Sequence, residues 1–231
     1  AKGPYAPNDY LLKVREVAPE RFALTCSVDP LRDLYEAVQE IDKCASEGFT
    51  GCKLYPTYDH FYPADERLFP VYEKLIEHDM LLQVHMGWTP CLNAPMKYQM
   101  PYLLDDVAAK FPKMRILISH MGWPHYEECM ALIAKWENLH ADIAYWGWFG
   151  PEYVLKVLKQ FGRLCGFDKL VYGSENSHTV VGLEMMRGLK GTAGQLGIEP
   201  ILDADMEKIM WKNAARLWKI ESRYLPPEAR S

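Results

Sequence analysis

Six short apolar runs recur along the chain, and most are followed by a longer stretch whose apolar residues fall three and four apart. Residues 21–28 (RFALTCSV), 51–55 (GCKLY), 81–86 (LLQVHM), 115–120 (RILISH), 141–145 (ADIAY) and 169–173 (KLVYG) are too short for helices and too apolar for surface loops. They read as strands. Residues 30–47, 64–78, 102–110, 124–137 and 151–162 carry the helical period. Pro124 and Pro151 stand near helix starts, and Gly48 and Gly162 just past helix ends. Strand and helix in alternation predict a parallel sheet covered by helices. The groups expected at the strands' carboxyl ends, Lys53, His85, His120, Tyr145 and Glu175, are 32, 35, 25 and 30 positions apart. A doubly wound sheet and an eight-stranded (β/α)8 TIM barrel both fit this rhythm. Neither G-x-G-x-x-G nor a P-loop occurs, whereas a barrel gathers functional groups at the carboxyl ends of several strands, where the unusual residues lie.

No linker, charge run or low-complexity tract interrupts the pattern, so one domain over residues 1–231 is expected. The 26 basic and 31 acidic side chains leave a net charge of −5, which argues against a nucleic-acid partner. Apolar runs are far shorter than the roughly 20 residues a bilayer demands, so no membrane partner is expected. No basic, apolar leader opens the sequence. Six cysteines lie without a C-x-x-C pair and read as reduced thiols of a cytoplasmic protein.

His85 closes LLQVH and His120 closes RILISH, each followed by Met-Gly-Trp. Alternation along a strand places Gln83 and His85 on one face, and Ile116, Ile118 and His120 on one face. One such histidine is as easily a core hydrogen-bonding group; two at equivalent places point to a shared rim. Glu175 ends LVYGSE, where a carboxylate is costly unless paired, protonated or metal-bound. Two imidazoles and a carboxylate suit zinc, manganese or iron, and such an ion activates water or polarises a substrate. Lys53, in GCKLYP, is able to hold a substrate carboxylate, to bridge metals once carbamylated, or to form a buried ion pair with Glu175 or Asp29. Tyr55, Tyr58, Trp88, Trp123, Trp146, Trp148 and Phe149 crowd the same loops, as pocket walls, rim packing or an oligomer interface. His125 and His178 follow strand ends and are candidates for supporting groups; Cys91 has no base that identifies it as a nucleophile.

Residues 8–28, 48–56, 68–87, 102–122, 170–176 and 206–218, the last reading MEKIMWKNAARLW, resemble in order the blocks of the amidohydrolase superfamily. The branch they resemble includes the aminocarboxymuconate-semialdehyde and resorcylate decarboxylases. The resemblance implies a metal-dependent TIM barrel with strands three to eight in view. It makes His85 a metal ligand from the fifth strand, and His120 the sixth-strand histidine that binds metal or orients the reactants. Glu175 takes the place of the eighth-strand aspartate, as metal ligand and general base, and its extra methylene departs from the family's Gly-(Ser/Thr)-Asp. Catalytic roles fall to His120, Glu175 and Lys53, metal ligation to His85, Glu175 and His120, and substrate contacts to Tyr55, Trp88, Trp123, Trp146 and His178.

The family's first-strand His-x-His or Glu-x-His pair is not found before Arg21. At roughly 30 residues per unit, strands one and two correspond to about 60 further residues preceding this sequence. The expected activity is hydrolysis of a small carboxylated or cyclic substrate through a metal-activated water, the metal being zinc, with manganese or iron as alternatives. Non-oxidative decarboxylation on the same barrel is the alternative, followed by a metal-independent lactonase and a non-catalytic scaffold. The expected partner is a small molecule, and the family resemblance allows a homodimer.

Overall fold

The structure, a computed structural model, describes residues 7–175 and 179–224. Its framework is a sheet of six strands in strict sequence order, every neighbouring pair parallel. The strands are β1 (Thr25–Ser27), β2 (Gly51–Leu54), β3 (Leu81–Val84), β4 (Ile116–Ile118), β5 (Leu139–Asp142) and β6 (Leu170–Val171). Such an order requires a crossover on the same side each time, which the helices supply.

The expected helices are present with shifted ends. α2 (Leu34–Ser46) begins after Asp33, whose carboxylate accepts the Glu36 N–H at 3.0 Å, so the start falls at this cap and not at Pro30. α4 (Phe69–Glu77), α5 (Asp105–Lys110), α6 (Tyr126–Lys135) and α7 (Pro151–Cys165) follow β2, β3, β4 and β5. Gly162 lies inside α7 and does not end it. A Cβ there would meet the Phe167 ring at 2.3 Å, so glycine admits the returning chain, and the helix stops at Gly166, φ 72°. α1 (Asn8–Val17), the short α3 (Pro56–Asp59) and α8 (Thr179–Leu196) were not apparent from periodicity. Four glycines in α8 dilute its pattern.

The larger apolar core lies between the sheet and these helices, with Cys26, Leu82, Ile116 and Ile118 of the strands against Ile41, Leu75, Ile133 and Leu158. Those strand residues alternate with another set that faces the concave side. There Leu81, Leu117 and Val171 are covered by Leu217 and Trp218 from the carboxyl-terminal turn around α9 (Asn213–Leu217). Asn213 is buried and donates to the carbonyls of Phe167 and Leu170, both at 2.7 Å. Trp218 Nε1 donates to Thr25 Oγ1 at 2.9 Å. This segment fills the amino-terminal end of the concave face. The polar residues of the same face, Lys53, Gln83, His85, His120 and Asp142, are left at the carboxyl end.

Candidate active site

His85 follows directly from the strand position anticipated for it, whereas His120 does not share a face with Ile116 and Ile118: those two pack toward the helices, β4 ends at Ile118, and a left-handed turn at His120, φ 59°, brings its ring to the concave side. His85 N–H continues the ladder to Leu54 O at 2.9 Å, and both side chains are buried, each 7% exposed. The ring centroids are 5.0 Å apart, with His120 Nε2 3.4 Å from His85 Nδ1. The repeated Met-Gly-Trp turns explain the closeness. Gly87 has φ +90°, and a Cβ there would stand 2.7 Å from Trp123 O and 2.9 Å from the Gly122 carbonyl carbon. The two backbones therefore touch, and Trp88 N–H donates to Trp123 O at 2.6 Å.

His120 Nδ1 lies 3.1 Å from the Ala144 carbonyl. A carbonyl only accepts, so Nδ1 carries a proton, and in the neutral ring that leaves Nε2 to present its lone pair toward His85. His85 Nε2 is buried with no hydrogen-bond partner among the described residues. Burial first, then the neighbouring imidazole and the Lys53 charge, hold the His85 pKa well below its ordinary value. The ring is neutral, as a metal ligand must be.

This pair fits a divalent ion. Two nitrogens bound tetrahedrally at about 2.1 Å from one ion stand about 3.4 Å apart, and a ligating imidazole commonly donates its other N–H to a carbonyl, as His120 does. The third expected ligand is not brought to the same point. Glu175 sits in a turn after the two-residue β6, with φ 50°, and its carboxylate stands 3.9 Å from His120 Nδ1, the edge turned away from His85. Among the described residues no three His, Cys, Asp or Glu groups surround a metal position.

Lys53 projects from β2 in register with Gln83 of β3. Its Nζ is 5.2 Å from the Tyr55 ring centroid, and no carboxylate of the described residues pairs with it, so the ion pair with Glu175 or Asp29 is not formed. Tyr55 stacks 6.0 Å from His85, and burial, with the nearby Glu175 charge, pushes its hydroxyl up to about 12. Tyr58 lies 5.3 Å from His85 and bonds Thr89 Oγ1 at 2.6 Å. Trp88, 38% exposed, packs edge-on against Trp123 and tilted against Tyr145. Trp146, expected to face substrate, is instead fully buried and donates from Nε1 to His120 O at 2.9 Å. The cause is the backbone: β5 ends at Asp142, Tyr145 turns left-handed at φ 75°, and residues 146–149 coil into a 3₁₀ turn. Tyr145 is therefore not a strand end. His178 lies outside the described residues.

Asp142, the last residue of β5, is 3% exposed and does not stand out by sequence context among the candidate site residues. Its Oδ1 accepts the N–H groups of His120 at 2.8 Å and Ala144 at 3.0 Å, and its Oδ2 the Gln83 amide at 3.4 Å. The available signal was a carboxylate inside an apolar run, a placement that demands a partner.

The Amidohydrolase family model matches residues 2–220, so this chain belongs to the amidohydrolase family, a family of enzymes. The 2-keto-4-carboxy-3-hexenedioate hydratase of Sphingobium sp. (strain NBRC 103272 / SYK-6) is 30% identical over 135 residues, 51% of this chain and 40% of that protein. The match thus spans less than half of that relative's length. A TIM-barrel protein of Bordetella bronchiseptica superposes with a TM-score of 0.74 at 20% identity, covering 93% of this chain and 73% of that one. The manganese-bound 5-carboxyvanillate decarboxylase of Novosphingobium aromaticivorans gives 0.70 at 18% identity, covering 92% and 69%. The fold is accordingly an α/β fold of the TIM-barrel kind. No helix among the described residues is long and apolar enough to cross a membrane.

Proposed function

We propose that this chain carries the acid–base and metal-holding core of a carboxy-lyase that removes carbon dioxide from a small, planar, unsaturated or aromatic carboxylate. The observation that carries the reading is one row on the concave face. It holds Lys53, which has no carboxylate partner among the described residues, beside the buried pair His85 and His120, near Tyr55, Tyr58, Trp88 and Trp123.

Lys53 supplies the positive charge for a substrate carboxylate or adjoining oxygen, a charge-assisted contact stronger than one between neutral groups. The aromatic rings provide flat apolar walls that exclude water from the substrate plane. His85 and His120 would hold a divalent ion: zinc and iron suit imidazole donors, and manganese would suit the pair where substrate or water oxygens complete the site. When bound, such an ion fixes substrate oxygens and stabilises negative charge as the carbon–carbon bond breaks. Glu175, at the rim with its side chain 45% exposed, is placed to exchange protons with solvent and return one to the carbon that loses carbon dioxide. The likeness to a decarboxylase of a carboxylated phenol, and to a hydratase of a carboxylated hexenedioate, supports this substrate class.

Hydrolysis through a metal-activated water uses the same residues, with Glu175 as base, and the family description favours it as the second reading. A panel of hydroxybenzoates and small unsaturated acids, assayed with added manganese or zinc, separates them. Carbon dioxide release is expected; turnover of lactones or cyclic amides with no carbon dioxide release would replace the first reading with the second.

A further inference from the structure

We infer that Asp142 is the positioning residue of this site: it fixes the place and the tautomer of His120 by clamping the backbone from which the imidazole projects. The inference rests on the proposed role of His120.

His120 and Met121 both adopt left-handed backbone, at φ 59° and 48°, and Gly122 follows at 63°. Two consecutive non-glycine residues in that region are unfavourable in isolation, and such a turn persists only where its surroundings over-determine it. The surroundings come from the segment just after β5. Asp142 Oδ1 takes the His120 N–H, Trp146 Nε1 donates to the His120 carbonyl, and the Ala144 carbonyl meets His120 Nδ1. The backbone N–H, the backbone C=O and the ring of one residue are thus all held by residues 142–146.

Asp142 ties these contacts together, because the same Oδ1 that accepts the His120 N–H also accepts the Ala144 N–H. A single carboxylate oxygen therefore sets the distance between the histidine and the carbonyl that determines which of its nitrogens is protonated. The second oxygen is steadied by Gln83, whose amide also reaches Ser119 Oγ at 3.1 Å. Gln83 lies on β3 two residues before His85, so β3, β4 and β5 are joined at the level of the imidazole pair. Release of Oδ1 frees the left-handed turn to relax, moves Nδ1 away from Ala144, and lets the proton sit on either ring nitrogen. The lone pair aimed at His85 is then no longer fixed.

The geometry separates the oxygen's position from its charge, and two variants test them apart. Asp142→Asn keeps an oxygen at the Oδ1 position without the charge. Asp142→Glu keeps the charge and displaces the oxygen. Ring-nitrogen NMR of histidine-labelled protein is expected to show His120 with Nδ1 protonated and Nε2 bare in the wild type and in Asp142→Asn. In Asp142→Glu and Asp142→Ala the two tautomers mix. Manganese affinity, measured by chelator competition, is expected to fall about 10- to 100-fold in the same two variants and to stay near wild type in Asp142→Asn. The inference is overturned if Asp142→Glu keeps the wild-type tautomer and affinity while Asp142→Asn loses them, or if Asp142→Ala changes neither. The tautomer is read without substrate or metal, so failure to release carbon dioxide would count against the proposed reaction and leave this test intact.

Discussion

The imidazole corner and the carboxylate corner share one end of the sheet but differ in how they are held. Across β3 to β5, His85 and His120 are buried, the backbones beneath them touch at Gly87 and Gly122, and Asp142, Ala144 and Trp146 grip His120 from three directions. Beyond β6, Glu175 stands on a turn after a strand of two residues, partly exposed, with one loose approach to His120 at 3.9 Å. Ligands for an ion require fixed geometry, because coordination tolerates small errors only. A group that exchanges protons with solvent requires access. The difference between the corners suits that division of labour.

Changes at the fixed corner should have the largest effects. His120→Ala should lower carbon dioxide release by roughly 10³-fold or more. It should also abolish tight manganese binding while leaving the circular dichroism of the fold intact; retention of both would remove His120 from the site.

Next in size is an acid sensitivity seated deeper on the concave face. His140 of β5 is 9% exposed, and burial, with the charges of Arg216 and Lys169, pushes its pKa down to about 4 from 6.5. Between those values the unfolded chain binds a proton that the folded chain refuses. Stability is therefore full above about pH 6.5, falls as the pH drops toward 4, and is level below that. The loss amounts to as much as about 3 kcal/mol. Urea unfolding across this range should show wild type losing stability relative to His140→Leu on acidification. A constant difference between the two would mean that His140 titrates normally.

Lys53→Met probes the β2 side of the imidazole corner. It should raise KM for a carboxylate substrate about 10- to 100-fold, with a smaller change in kcat, consistent with the loss of one charged contact. An unchanged KM would assign Lys53 to scaffolding. The smallest effect on stability is expected at the loose corner. Glu175→Gly removes a left-handed strain and adds chain entropy, so stability in thermal melts should change by less than about 1 kcal/mol. A large destabilisation would show that this corner is braced after all.

The order of strands and helices was legible because each strand lies in a short, largely apolar run and the helices between them keep their period. His85 was legible because a strand's carboxyl end is a fixed place in such a fold; His120 was legible by its place along the chain, but its face is set by the left-handed turn after Ile118. What escaped was set by backbone geometry that periodicity does not carry. ADIAY reads as one strand, yet the chain leaves the sheet at Asp142 and turns left-handed at Tyr145. Trp146 thereby moves from the expected substrate wall into the core, and Asp142 becomes the group that holds His120. Glu175 was expected to end the last strand, but β6 stops at Val171 and Glu175 lies in a left-handed turn that the sequence pattern does not specify.

The central claim is that the His85–His120 pair holds one divalent ion. Anomalous diffraction at the manganese edge, from crystals of manganese-loaded protein, addresses it directly. The account predicts one strong peak within coordination distance of a nitrogen of each histidine, lost in crystals of His120→Ala. A manganese peak elsewhere, with none at the imidazole pair, would contradict it.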